Sequence, residues 1–234
     1  MFKRNQLEEA ILQSSERDRA MGEDPQAKVG EDLRIRMKRL LDSDRKREVS
    51  EGSLFDRNFA FYSVAAPGTG HEVRFTGYEV FALWVGLKLL ASGYPQGRVV
   101  ILLRHHRGAL EREHARILAA DHARLFKKSG FLSEDATDSQ REYQIRAGQL
   151  VTHIADMVFL AVEAVPDIGI SARTIGVGDA QRPSNICRGG KELMHFMQTE
   201  GFMKRPVLAI ELTNGAHQLG YWLARTEPVR RGRR

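Results

Sequence analysis

The sequence predicts an α+β fold, and three observations carry that expectation. Apolar residues in the first half recur at three- and four-residue spacings, the period of an amphipathic helix. The last third holds a β-branched run at 157–165, a composition that suits a buried strand. Asn214-Gly215 then stands between the apolar segments 207–212 and 218–224, a strong local signal for a β-hairpin. A hydrophobic fraction of 42% beside 28% charged residues supports a packed core rather than global disorder. At 234 residues the chain can form one domain or two small ones. The preferred division is residues 1–128, a linker at 129–140, an α/β or α+β domain at 141–228 and a basic tail at 229–234.

Taken in order, residues 2–13 place Phe2, Leu7, Ile11 and Leu12 on one helical face, with Glu8 and Glu9 near the end that the helix dipole favours for acids. Residues 14–30 are polar and contain Gly22, Pro25 and Gly30, so they read as a loop. From 31 to 48, Leu33, Met37, Leu40 and Leu41 define an apolar stripe with basic residues on the other faces, which predicts an amphipathic basic helix. Segments 59–64 and 72–75 flank Pro67-Gly68-Thr69-Gly70 and read as a hairpin. Helices follow at 78–91 and 96–106, separated by Gly93-Tyr94-Pro95, where Gly ends one helix and Pro opens the next. A third helix is expected over 109–126, then a loop around 130–139. In the last third come a short helix and strand within 149–165, loops around a short strand at 172–177, a helix at 191–200 and the Asn214-Gly215 hairpin.

The order of elements between 59 and 104 carries a resemblance. Arg74-Phe75-Thr76 precedes a helix opening at Tyr78-Glu79-Val80, and Gly93-Tyr94-Pro95-Gln96 leads to Val99-Val100-Ile101-Leu102-Leu103. This resembles the wing and following helix pair of MerR-type regulators, in which a wing ends in an arginine and an aromatic residue. There a Ser or Thr caps the next helix, and a glycine separates it from another. The resemblance implies a winged-helix-like first half that binds double-stranded DNA, with residues 2–11 and 33–41 as its two helix-turn-helix helices and the second in the major groove. In the family a short turn joins those helices; here residues 14–30 lie between them.

The charge pattern points the same way. A formal net charge of +6 and a pI near 9.6 favour polyanionic partners. Arg34, Arg36, Lys38, Arg39, Arg45 and Lys46 gather on the basic helix, and Arg74 falls where a wing contact is expected. Duplex DNA requires cations at phosphate spacing, and guanidinium groups can bind phosphate or guanine in bidentate geometry. The alternative for each is a solvated helix face with Glu31, Asp32, Asp42 and Asp44 as partners.

Other chemistry finds less support. The single cysteine, Cys187, forms no intramolecular disulfide and removes zinc motifs built on paired thiolates. Glu111 and His114 have the spacing of carboxylate-bridged dimetal sites, but one copy is present where such sites use two. These residues therefore read as surface polar groups on a charged helix, and His105-His106 as an exposed connector. Arg188-Gly189-Gly190-Lys191 opens a helix without a Walker or Rossmann pattern. His153, Asp156, Glu163 and Cys187 form no recognised catalytic constellation. Phe81, Leu83, Trp84, Leu87 and Leu90 read as core. No signal-peptide core follows the basic start, and the apolar run 80–90 is too short to span a bilayer.

The expectation is thus a cytoplasmic, non-enzymatic DNA-binding protein, a homodimeric transcriptional regulator without a cofactor or metal. Its alternative is an adaptor or assembly protein that binds RNA or an acidic protein partner.

Overall fold

The computed structural model describes residues 1–15, 26–47, 58–64, 73–120, 125, 137–163, 184–199 and 206–228. Strand β1 (Phe2–Lys3) leads into helix α1 (Arg4–Ser15), followed by α2 (Gln26–Lys46) and the short strand β2 (Arg74–Phe75). Helices α3 (Gly77–Ala91), α4 (Gln96–Leu118) and α5 (Asp138–Arg146) come next. A 3-10 turn (Ile154–Asp156), β3 (Val158–Glu163), β4 (Ser184–Arg188), α6 (Gly189–Thr199), β5 (Val207–Glu211) and α7 (Thr213–Arg225) complete the order. The fold is α+β: helices dominate, with one two-stranded and one three-stranded antiparallel sheet among the described residues.

Helix α3 is the central element because its sequence is apolar on every side. Residues Tyr78 through Leu87, and Leu89, are all buried, as befits a helix enclosed by its neighbours. Its start is fixed by a capping box: the Thr76 hydroxyl accepts from the Glu79 amide at 3.2 Å, and the Glu79 carboxylate accepts from the Thr76 amide at 2.6 Å. Its end turns at Gly93, whose φ of +87° suits glycine, and Pro95 caps α4. Around α3 the main core gathers Leu7 and Ile11 from α1, Met37 and Leu40 from α2, Leu103 and Leu110 from α4, and Leu219 and Leu223 from α7.

The sheet β4-β3-β5 sets Leu160 opposite both Ile186 and Ile210. Strand β3 is buried throughout because both of its faces are covered. Val158, Leu160 and Val162 enter the main core, while Phe159 and Ala161 pack with Cys187 and with Phe196 of α6. The Tyr94 hydroxyl donates to the Glu163 carbonyl, tying the α3–α4 turn to the end of this strand.

Several expectations are corrected. The Asn214-Gly215 hairpin is absent: β5 forms, but 213–225 is a helix. The Glu211 carboxylate accepts from the amides of Thr213 and Asn214 at 2.6 and 3.0 Å, supplying the acceptor a helix N-terminus needs. Asn214 spends its side chain on the Val151 backbone, accepting from N–H and donating to C=O at 2.8 Å each. The hairpin of 59–64 with 72–75 is absent as well, since 59–64 is irregular and β2 pairs with β1, Phe75 facing Phe2 and Arg74 facing Lys3. The helices expected at 96–106 and 109–126 are one helix to Leu118. Buried His106 and Arg107 anchor its middle from two sides, through Ser184 and the 59–62 backbone. Helix α2 starts at Gln26, inside the expected loop. Helix α5 and strand β4 were not expected. The segment 67–70, the strand at 172–177, the tail at 229–234 and most of the linker at 129–140 lie outside the described residues.

Candidate nucleic-acid interface

Helix α2 divides its faces sharply. Met37, Leu40, Leu41 and Asp44 are buried, whereas Arg34, Arg36, Lys38, Arg39, Arg45 and Lys46 are all exposed. The inward row continues the three-and-four spacing from Leu33 to Asp44, so packing of that row against the core turns the cations outward. Arg34 reaches Glu8 of α1 at 3.1 Å, and the same carboxylate takes Arg4 at 2.9 Å. Arg36 pairs with Asp32 at 2.8 Å. Among the described residues Lys38, Arg39, Arg45 and Lys46 form no ion pair. Arg74 is exposed on β2, beside Lys3 of β1. The structure therefore gathers six of the seven candidate cations on one helix and sets the seventh on the β1–β2 strand pair.

Behind this surface lies a buried polar network that the sequence reading missed. Asp44 and Arg104 have fully buried side chains joined at 2.7 Å. The Asp44 carboxylate also accepts from the amides of Ala60 and Phe61 at 3.1 and 2.9 Å. The Arg104 guanidinium further donates to the carbonyls of Asp44 and Arg47 at 2.7 and 2.8 Å. One turn on, Arg107 donates to the carbonyls of Phe59 and Tyr62 at 2.6 and 2.7 Å. The Ser63 hydroxyl joins Arg107 to Glu79 of the capping box. These bonds explain why 59–64 is not a strand: side chains satisfy its backbone groups where a ladder otherwise would. They also hold that segment between α2 and α4. Burial, and next the Asp44 charge, push the Tyr62 hydroxyl up to about 12.

A signal for the network was present. Asp44 continues the apolar row Met37-Leu40-Leu41, and Arg104 follows Val99, Val100 and Leu103 on a buried face. A charge on each of two apolar faces is the sequence trace of a buried pair.

The remaining candidates separate. Glu111 is exposed and lies 4.0 Å from Arg107, while His114 is buried with its ring stacked on Phe81 at 4.6 Å. They do not converge, and no metal-ligating cluster occurs among the described residues. His106 is buried rather than an exposed connector, with Nε2 2.8 Å from the Ser184 hydroxyl. It lines a polar cleft of about 320 Å³ with Arg112, Glu113, Asn185, Arg188 and Glu192. Glu113 there bonds both Arg116 and Arg188, which outweighs its burial and lowers its pKa. Cys187 is buried in β4, and burial pushes its thiol up, so it is a poor nucleophile. No helix among the described residues is long and apolar enough to cross a membrane.

Comparison with known proteins adds no family to this geometry. No protein-family model, curated protein or solved structure matches the chain.

Proposed function

We propose that the chain binds double-stranded DNA through the outward face of α2 and the β1–β2 strand pair, as a winged-helix-like transcriptional regulator acting as a homodimer in the cytoplasm. The observation that carries this reading is the division of α2, whose inward row is locked to the core while six cations face solvent. Cations on a rigid helix suit phosphate contacts because their spacing is fixed before binding. Two features favour the MerR-type comparison: Thr76 caps the helix after Arg74-Phe75, and Gly93 adopts a positive φ between α3 and α4.

The test is fluorescence anisotropy with duplex DNA across a salt series, using wild type, the triple variant Arg34→Ala/Arg36→Ala/Arg39→Ala and Arg74→Ala. Wild-type affinity is expected to fall steeply with salt. Each variant should bind more weakly and with a shallower salt slope, by about one unit for every phosphate-neutralising side chain removed. No binding at low salt, or equal binding by the variants, would overturn the proposal. Tighter binding of RNA than of duplex DNA would favour an RNA-binding adaptor instead.

A further inference from the structure

Among the cations of α2 sits one apolar side chain that the core does not use. Ile35 is 43% exposed and stands outside the hydrophobic clusters that take up its neighbours Leu33 and Met37. Lys38 and Arg39, three and four residues on, are its neighbours on the helix surface, and both are exposed. Arg34 and Arg36 flank it in sequence, with side chains 65% and 45% exposed. One turn toward the N-terminus stand Glu31 and Asp32, both exposed, with Asp32 paired to Arg36. The outward face thus presents a branched hydrocarbon with Lys38 and Arg39 on one side and two acids on the other, one of them already engaged by Arg36.

We propose that Ile35 reads a thymine 5-methyl group in the major groove, which makes it a specificity-determining residue of the DNA interface; the inference rests on the DNA-binding reading above. The cations of α2 would hold it to the backbone without regard to sequence. Base discrimination then requires side chains that meet base edges, and the thymine methyl is the major-groove feature that an aliphatic group recognises. Neighbouring Arg39 and Lys38 supply donors for guanine or phosphate, but neither distinguishes thymine from uracil. Ile35 does, because the difference between those bases is one methyl group.

The experiment begins by selecting duplexes from a random library with the wild-type chain. Each thymine of the selected site is then replaced in turn by deoxyuridine. Dissociation constants are measured for wild type, Ile35→Ala and Ile35→Val, with circular dichroism confirming that the variants fold. At one thymine per half-site, removing the methyl is expected to weaken wild-type binding about fourfold, the worth of one buried methyl group. Ile35→Ala should bind the thymine duplex as weakly as wild type binds the uracil duplex and should be indifferent to the replacement, with Ile35→Val between them. Overturning results are a site at which no thymine methyl matters, or a loss equal in wild type and Ile35→Ala. Either would leave Ile35 a solvent-exposed residue while the DNA-binding reading stands. Failure of the wild-type chain to bind any duplex would remove both.

Discussion

Arg104 and Arg107 on α4 and Arg34, Arg36 and Arg39 on α2 are the same side chain in opposite settings. The first pair is buried and donates to backbone carbonyls and to Asp44; the second set is exposed. Each of these arginines adds equally to the formal charge of the chain, yet the buried pair contributes architecture and the exposed set contributes a surface. A desolvated guanidinium must have its donors satisfied, so its partners dictate where α2 and the 59–64 segment lie. An exposed one is solvated already, and where a surface carboxylate pairs it, as Glu8 does Arg34 and Asp32 does Arg36, the pair is weak enough to exchange for another anion. Net charge alone therefore overstates the interface, and burial decides which cations can belong to it.

The largest effect should come from breaking the buried side of this contrast. Arg104→Ala leaves Asp44 buried without its ionic partner and is expected to cost about 3–5 kcal/mol, read as a lowered urea midpoint. A variant as stable as wild type would show that the pair does not organise the fold.

Next comes Gly215, where a Cβ would stand 2.1 Å from the Trp84 ring. Gly215→Ala should cost about 1–3 kcal/mol through overpacking, although alanine is the better helix former. Stabilisation instead would mean that Trp84 moves aside freely.

Acid should act through the buried imidazoles. Burial holds His106 and His114 at about 4, below their ordinary 6.5. The unfolded chain gains protons as pH falls through 6.5 and the folded chain only near 4, so stability present above the first value is lost between the two. The loss should reach about 2 kcal/mol per histidine by pH 5, and His114→Phe should flatten the decline in chemical denaturation measured from about pH 7.5 to 5. A profile unchanged by that substitution would place the acid sensitivity elsewhere.

The smallest effect belongs to the exposed side. Arg39→Ala should change stability by no more than about 0.5 kcal/mol while weakening duplex binding. A large loss of stability would move Arg39 into the structural set.

What was legible in the sequence follows the same division. Helix α3 could be read directly, because an apolar run over 80–90 interrupted only at Lys88, between Thr76 and Gly93, has few other uses. The orientation of α2 followed from its apolar row. What failed were positions where side chains replace backbone partners. Phe59, Phe61 and Tyr62 look strand-like, but Asp44 and Arg107 take their backbone groups. Asn214-Gly215 looks like a turn until Glu211 caps the amides beside it and Asn214 binds Val151. The helical spacing of Ala216, Leu219 and Leu223 was the competing signal there, and the Thr137-Gln140 capping box of α5 was another that went unread. The exposure of the α2 cations was legible from the apolar row of that helix; the burial of Arg104 and Arg107 was not, because Arg104-His105-His106-Arg107 looks like a polar connector although it continues a buried helix face.

The most direct measurement is arginine footprinting with phenylglyoxal and mass spectrometry, with and without duplex DNA. Arg34, Arg36 and Arg39 should react in the free chain and be protected by the duplex, while Arg188 and Arg225, whose side chains are 59% and 49% exposed, should react equally in both. Arg104, fully buried, is the internal control that should not react in either. Protection at Arg188 and Arg225 with none on α2 would contradict the assignment of this helix as the nucleic-acid interface.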